Sequence, residues 1–197
     1  IERLHGVDQH DLERAVTEIL SCFRPGRGNF LTDFFSRRID RILVAATKAD
    51  HLHHESHDRL QAIVRRLTDR AVARANFSGA AVDVVAMAAV RSTREGTVKQ
   101  GRETLPVIIG TPLKGETING ETFDGKTETA IFPGDLPEKV DAVFDRSASS
   151  LDSAEPAIRF VRFRPPKLER TAEGVTLSLP HIRLDRALQF LIGDHLA

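Results

Sequence analysis

Runs of apolar residues at regular spacing predict alternating helices and strands in the first half of the chain. Residues 8–23 place apolar side chains at helical spacing, and residues 29–39 predict a short second helix with a phenylalanine-rich side. Apolar runs at 41–47 and 82–90 predict two buried strands, and the amphipathic stretch 56–76 between them predicts a long helix. Two buried strands joined through a helix indicate a parallel sheet with a right-handed crossover.

The pattern changes after residue 91, where glycine, proline and threonine become frequent and the apolar runs shorten. Residues 105–109, 128–132 and 158–163 predict short strands, and the amphipathic stretch 182–196 predicts a final helix. Turns are predicted at Asn119-Gly120, Asp124-Gly125 and 133–137, and a flexible loop at 146–156.

These elements predict an α/β fold in three segments. Residues 1–90 would form an α/β domain built on a parallel sheet, and residues 91–181 a small β-rich insertion. Residues 182–197 would supply a C-terminal helix that packs back on the α/β domain.

Composition and charge narrow the class of protein. The chain of 197 residues has 28 basic and 28 acidic residues, and zero net charge argues against a large nucleic-acid or anionic-membrane surface. No stretch approaches the roughly 18 apolar residues of a membrane span, and no secretory signal is visible. Cys22 is the only cysteine, which suits a reducing compartment, so we expect a cytoplasmic protein. Because the chain begins at Ile1 in the approach to a helix, we expect a fragment.

The candidate chemistry lies where the first predicted strand ends, in Thr47-Lys48-Ala49-Asp50. Guanine presents two adjacent donors, N1–H and the 2-amino group, and an ionised Asp50 at a strand tip would accept both in a charge-assisted, bidentate pair. Adenine lacks that donor pair, so such a site rejects it. The Lys48 stem can lie along the base, and the Thr47 hydroxyl can brace the loop. The alternative is an ordinary strand-to-helix loop with solvated Lys48 and Asp50.

A second loop is predicted beside the first. Parallel strands place their carboxyl ends at one edge of the sheet, where open α/β sheets bind ligands. The second predicted strand ends in Met87-Ala88-Ala89-Val90, which could offer a backbone N–H to the base carbonyl. Any non-proline residue supplies such an N–H. Ala88 and Ala89 are therefore candidates only because they lie at the end of the second predicted strand.

Four histidines follow the first loop, at His51, His53, His54 and His57. On a helix, His53 and His57 would form an i,i+4 pair able to share a metal. His54 and Asp58 would form a second such pair. The alternative is a polar helix start in which Ser56 caps the first turn and Asp58 interacts favourably with the helix dipole. We favour the helix start and assign no metal ligand.

Six segments of the chain together match a known family. They lie at residues 22–27, 38–54, 123–125, 132–137, 160–166 and 180–188. They include Arg-Ile-Leu-Val-Ala-Ala-Thr-Lys-Ala-Asp at 41–50, Phe-Pro-Gly-Asp-Leu-Pro at 132–137 and Phe-Val-Arg-Phe-Arg-Pro-Pro at 160–166. By these segments the chain resembles the YcjX family of bacterial P-loop GTPase-like stress proteins over nearly its whole length.

The resemblance implies that the chain is the C-terminal half of a P-loop NTPase-like GTPase domain, with a small β-rich insertion. Thr47, Lys48 and Asp50 match the family's guanine-reading motif, and Ala88-Ala89 stands where GTPases usually carry Ser-Ala. GTP or GDP is then the ligand. The phosphate-binding loop and the Mg²⁺ ligands are expected upstream of this chain.

Without a phosphate-binding loop, the chain alone is not expected to hydrolyse GTP. A P-loop needs Gly-x-x-x-x-Gly-Lys-Ser/Thr, and residues 24–29 contain glycine without that Lys-Ser/Thr. We therefore assign no catalytic residue and predict that the intact protein resembles a GTP hydrolase, whereas the chain alone is inactive. Two other hypotheses stay open. One is a non-enzymatic module that binds a protein partner through the insertion, and the other is metal binding through the histidine cluster at 51–57.

Overall fold

The computed structural model describes residues 14, 15, 17–19, 39–77, 79–118, 120–144, 160–167, 170, 171, 174, 175 and 179–196. Within the predicted helix 8–23, the described residues are helical. The predicted helix 29–39, except for Ile39, lies outside the described residues. The predicted loop 146–156 and residues 24–29 also lie outside them.

Two parallel strands organise the first part of the fold. β1 spans Arg41–Ala46 and β2 spans Ala81–Ala86, and their pairing is parallel along the full length of both. The mixed α/β class with a parallel sheet is therefore confirmed. β2 ends at Ala86 rather than at residue 90, because Ala88 leaves the sheet and pairs with Ile182 in an antiparallel bridge.

Two helices connect these strands where the pattern predicts one. α1 spans His57–Leu67 and α2 spans Asp69–Phe77. Between them, Thr68 has φ −101 and ψ 7, and its hydroxyl donates to the carbonyl of Val64 at 2.8 Å. Such back-bonding by a Thr hydroxyl competes with the regular helical pattern and bends helices. The prediction of an unbroken helix over 56–76 was therefore wrong at Thr68.

The strands after residue 93 are antiparallel. They are β3 (Arg94–Gln100), β4 (Glu103–Gly110), β5 (Thr117–Ile118), β6 (Glu121–Thr122), β7 (Thr129–Ile131), β8 (Arg170–Thr171) and β9 (Gly174–Val175). β3, β4 and β7 form one sheet in that order, while β5 pairs with β6 and β8 with β9. We call β3 to β9 the antiparallel region.

The predictions for the antiparallel region succeed in some places and fail in others. The predicted strand 105–109 lies within β4, and the predicted strand 128–132 contains β7. β3 was missed because its residues are mostly polar and exposed, so no apolar alternation marks it. In the described part of the predicted strand 158–163, only Phe163 pairs, in an isolated bridge with Pro112.

Buried apolar side chains form two separate clusters. The parallel cluster consists of Val85, Met87 and Ala187, with Leu43 and Leu184 packed against it. The antiparallel cluster consists of Ile108, Ile131, Val161 and Phe163, with Ile118 and Phe123 packed against it. Among the described residues, the β1-β2 sheet and the β3-β4-β7 sheet therefore contribute to different hydrophobic clusters.

The final helix, α3, spans Leu184–Ile192 and packs on the parallel strands. Arg186 donates to both carboxylate oxygens of Asp83 on β2, at 3.1 and 2.9 Å, and Arg41 of β1 donates to the Phe190 carbonyl at 2.7 Å. None of the helices in the described part of the chain combines the length and apolarity that crossing a bilayer requires. The boundaries of the three predicted segments, and the P-loop NTPase-like architecture, stay predictions.

Candidate functional site

Two loops meet at the carboxyl ends of β1 and β2. The first, the 47–50 loop, follows β1, and the second, the 87–92 loop, follows β2. The Ala49 N–H donates to the Met87 carbonyl at 3.0 Å, and the Met87 N–H donates to the Ala46 carbonyl at 2.9 Å. The structure thus brings together the two loops that contain all the predicted base-site residues.

A left-handed residue redirects the chain at the end of β1. Lys48 has φ 61 and ψ 37, a conformation that costs an L-residue about 1–2 kcal/mol, and it precedes the 3-10 turn Ala49–His51. The side chains of Thr47 and Lys48 are exposed. The expected brace from the Thr47 hydroxyl is not formed, because this group makes no hydrogen bond to the part of the chain that the structure describes.

Asp50 is buried rather than open at the strand tip, being only 4% exposed. Its Oδ2 accepts a hydrogen bond from the Ser92 N–H at 2.8 Å, and its backbone carbonyl accepts one from the Thr93 hydroxyl. The alternative of an ordinary loop with a solvated Asp50 is therefore wrong, whereas Lys48 is exposed as that alternative expected. Both contacts come from the end of the 87–92 loop and from Thr93 just after it, which fix the position of Asp50 relative to β2.

One oxygen of Asp50 is still available for a ligand. Among the described residues, no cation forms an ion pair with Asp50, and Oδ1 accepts no hydrogen bond. Oδ1 is also not one of the fully buried unpaired atoms in this part of the chain, so it keeps some contact with solvent. An ionised carboxylate offers about four lone-pair sites, and the Ser92 N–H occupies only one of them.

The two alanines of the 87–92 loop differ in what their amides can do. The Ala88 N–H donates to the Ile182 carbonyl at 3.0 Å, and Ala88 is 3% exposed. Ala89 is exposed, and its N–H has no hydrogen-bond partner among the residues described here. Only the Ala89 amide is therefore free to reach a ligand, whereas Ala88 has a structural role.

The helix start after the 47–50 loop agrees in part with the favoured alternative, because Asp58 lies in the first turn of α1. The ring of His57 donates through Nε2 to the Ala49 carbonyl at 2.8 Å, so it supports the loop and is not paired with His53. Ser56 stands at the N-cap of α1 but makes no capping hydrogen bond. Asp58 accepts from Arg183 at 2.7 Å, which lowers the pKa of Asp58. The i,i+4 pairs that were weighed as metal ligands are therefore engaged elsewhere, His57 with the Ala49 carbonyl and Asp58 with Arg183.

His51 connects the 47–50 loop to the antiparallel cluster. Its ring meets the Phe163 ring edge-on, with centroids 5.4 Å apart. Burial lowers the pKa of His51, and the opposing effect of the neighbouring Asp50 carboxylate is smaller. The imidazole is therefore held neutral against aromatic side chains, as expected for a packing residue.

His53 is buried with an unsatisfied ring nitrogen. It is 7% exposed, and its Nδ1 has no hydrogen-bond partner among the residues that the structure describes. Leaving a buried polar atom unpaired costs about 1–3 kcal/mol, so this arrangement calls for a physical explanation. His51 also has a buried Nδ1 without a hydrogen-bond partner among the described residues, and His53 differs in that Oε2 of Glu55 lies 3.9 Å from its Nδ1.

A separate cavity of about 610 Å³ opens at the opposite edge of the parallel sheet. It is lined by Asp40, Arg41 and Ala81 at the amino ends of β1 and β2, together with Phe190 of α3. It therefore lies at the wrong end of the strands to be part of the site formed by the two loops.

Comparison with known proteins identifies the family of this chain. A family model described as the YcjX-like family, DUF463, matches residues 5–196. The chain belongs to this family. The Ras-like GTPase YcjX of Escherichia coli (strain K12) is 32% identical over 189 residues, which cover 95% of this chain and 36% of that relative. The Ras-like GTPase YcjX of Shewanella oneidensis (strain MR-1) is 29% identical over 187 residues, covering 94% of this chain and 34% of that relative.

The resemblance seen in the sequence is thus confirmed. The chain spans only about a third of the length of these curated relatives (36% and 34%). Membership of a family whose relatives are named GTPases supports a GTPase-related function.

Sequence reasoning missed two groups that hold the site together, the Ser92 amide and the Thr93 hydroxyl. The first is a backbone group that any non-proline residue would supply, so no sequence signal marks it. Thr93 follows a run of loop residues without any periodic pattern. Only the distance in space to Asp50 reveals the role of these two residues.

Proposed function

We propose that this chain is the guanine-nucleotide-binding part of a P-loop GTPase and reads the base through Thr47-Lys48-Ala49-Asp50. Membership of the YcjX-like family and the printed names of its GTPase relatives support this proposal. The observation that carries it is the hydrogen bond of 2.8 Å from the Ser92 N–H to Asp50, which ties the two ligand-facing loops together.

The donors and acceptors of the two loops complement the edge of guanine. Asp50 would accept the N1–H and 2-amino groups through Oδ1 and the remaining lone pairs of Oδ2. The Ala89 N–H would donate to the base carbonyl, and the exposed Lys48 stem would lie along the ring. Because Asp50 is 4% exposed, the base must approach from the side of Oδ1.

Serine at position 88 is not needed to orient Asp50 in this arrangement. Ala88 has no hydroxyl, but the Ser92 amide donates to the same carboxylate that a serine side chain could hold. A backbone N–H that is fixed by its loop is an effective donor because its direction is set by the chain. The Ala88-Ala89 sequence is therefore compatible with base recognition.

Hydrolysis of GTP also requires a P-loop and Mg²⁺ ligands, which we expect in a longer protein outside this chain. The phosphates need a P-loop, and Mg²⁺ needs oxygen ligands beside them. We expect the chain alone to show no GTP turnover and weak nucleotide binding. The cytoplasmic location, the role in stress response and a protein partner for residues 91–181 stay predictions.

The test is Asp50→Asn in the full-length protein, with binding measured for GTP, XTP and ATP. Xanthine carries a carbonyl where guanine carries the 2-amino group, and asparagine replaces one carboxylate oxygen by an N–H donor. We expect GTP affinity to fall on the order of 100-fold, since a hydrogen bond to a charged group contributes about 1.5–3 kcal/mol. XTP affinity should rise above that of the unaltered protein.

A gain in XTP binding cannot result from misfolding, so this readout separates base contact from damage to the loop. Asp135→Asn is the matched control, because Asp135 is exposed and lies in another loop. It should leave the affinities for all three nucleotides unchanged. Equal binding of ATP and GTP by the unaltered protein, or undiminished GTP binding by Asp50→Asn, would contradict the proposal.

A further inference from the structure

A group of metal-ligand side chains lies just beyond the 47–50 loop. One ligand atom from each of His53, His54 and Glu55 lies within 4.8 Å of the others. They belong to the turn that precedes α1, and the centroids of the His53 and His54 rings lie 4.3 Å apart with the ring planes tilted by 40°. We call these three residues the 53–55 cluster.

The unpaired nitrogen of His53 faces this cluster. His53 is 7% exposed, and its Nδ1 makes no hydrogen bond. The nearest carboxylate oxygen, Oε2 of Glu55, is 3.9 Å away, which is too far for a hydrogen bond. Two donors bound to one tetrahedral zinc ion at about 2.0–2.1 Å lie roughly 3.4 Å apart, so a bound ion fits this separation better than direct contact does.

A second carboxylate orients His54. Nδ1 of His54 lies 2.6 Å from Oε2 of Glu95, and Arg91 holds the other Glu95 oxygen at 3.1 Å. When Nδ1–H donates to Glu95, the lone pair of the ring is on Nε2. A carboxylate on the far nitrogen is the usual arrangement for a metal-binding histidine, because it fixes the tautomer and the direction of the ring.

We infer that His53, His54 and Glu55 bind a divalent transition metal ion of the zinc class, with Glu95 as the outer partner of His54. Two imidazole nitrogens and one carboxylate oxygen are a donor set for zinc or cobalt. Calcium and magnesium select oxygen donors instead. The metal satisfies the buried Nδ1 of His53 and leaves one coordination position for water. The inference does not depend on nucleotide binding.

The experiment titrates the 197-residue chain with cobalt(II), followed by visible absorption, and with zinc(II), followed by calorimetry. We expect one tightly bound ion per chain and the intense cobalt bands of a four-coordinate site. His54→Ala and Glu55→Gln should each weaken binding at least tenfold. Glu95→Gln should weaken it about tenfold, as expected for loss of an outer hydrogen bond to a ligand.

Controls separate this cluster from other histidines and from loss of folding. His54 and Glu55 are exposed, so their substitution tests the ligands without opening the core, and circular dichroism checks the fold. His195→Ala removes an exposed histidine far from the cluster and should leave the affinity unchanged. If cobalt fails to bind, or if His54→Ala and Glu55→Gln bind as tightly as His195→Ala, the inference is overturned.

Discussion

The parallel cluster and the antiparallel cluster are built from different parts of the chain. The parallel cluster joins β2 to the C-terminal helix through Val85, Met87 and Ala187. The antiparallel cluster uses residues between Ile108 and Phe163 alone. The first therefore depends on a contact between distant parts of the sequence, whereas the second can form within one continuous segment.

The 47–50 loop lies where these two regions meet. Its position after β1 comes from the parallel sheet, but its Asp50 is held by Ser92 and Thr93 at the entry to β3. His51, directly after it, packs on Phe163 of the antiparallel cluster. The parallel strands place the candidate base site, and Asp50 is held by the residues that connect these strands to the antiparallel region.

The largest effect is expected from Ile108→Ala, which opens a cavity in the antiparallel cluster. Ile108 is 1% exposed, and truncating such a residue costs about 2–5 kcal/mol. Urea unfolding should show this loss in the free energy of unfolding. Val98→Ala, on the exposed β3 strand with Val98 42% exposed, is the control and should change it by less than about 0.5 kcal/mol.

Ile108→Ala also tests whether the antiparallel region supports the 47–50 loop. If the antiparallel region supports the 47–50 loop, Ile108→Ala should also increase amide hydrogen exchange at Asp50 and His51. An equal increase throughout α3 would instead show that the two clusters unfold as one unit.

A smaller effect is expected from Thr93→Val, which breaks the hydroxyl contact between the regions without changing side-chain size. The Asp50 carbonyl loses its partner inside a buried site, which should cost about 1–3 kcal/mol of folding free energy. Thr97→Val, at an exposed position of β3, is the matched control. Identical denaturation midpoints for the two variants would show that the Thr93 contact does not stabilise the fold.

The smallest effect on folding stability is expected at Asp124, which lies in the loop before β7. Its carboxylate accepts hydrogen bonds from the Lys126 and Thr127 amides at 2.7 and 2.9 Å, and these lower its pKa from 3.8 to about 2. Because the folded pKa lies below the unfolded one, its stabilisation is complete above about pH 4 and is lost as the pH falls towards 2.

Asp124→Asn should therefore lower stability above pH 4 by a constant amount, and its difference from the unaltered chain should shrink between pH 4 and 2. Thermal unfolding at a series of pH values measures this difference. Asp135→Asn, an exposed carboxylate of the neighbouring loop, serves as the control. A difference that stays constant down to pH 2 would rule out this role for Asp124.

Some residues that carry the family resemblance have a structural explanation. In Phe123-Asp124-Gly125, Phe123 packs on the antiparallel cluster and Asp124 holds its own turn. Gly125 has φ 77, and a Cβ there would lie 2.8 Å from the backbone nitrogen of Lys114. A glycine is required at this close approach, so this motif stabilises the antiparallel region and does not by itself indicate a ligand.

The sequence was most informative where burial is strong and local. The apolar runs predicted β1, β2 and β4, because each of these strands contains a run of apolar residues. It failed at β3, whose exposed polar residues pair through backbone groups alone. It also missed the break at Thr68, because one side-chain hydrogen bond interrupts an otherwise regular pattern.

By itself, the sequence determined the α/β class, the family and the position of Thr47-Lys48-Ala49-Asp50 at the end of a strand, since these follow from residue types and their spacing. Only the tertiary structure decided that Asp50 is buried, that Ala89 rather than Ala88 has a free amide, and that His53 faces Glu55 rather than His57. The first two outcomes depend on which backbone groups distant segments bring together, and all residues except proline carry the same backbone groups.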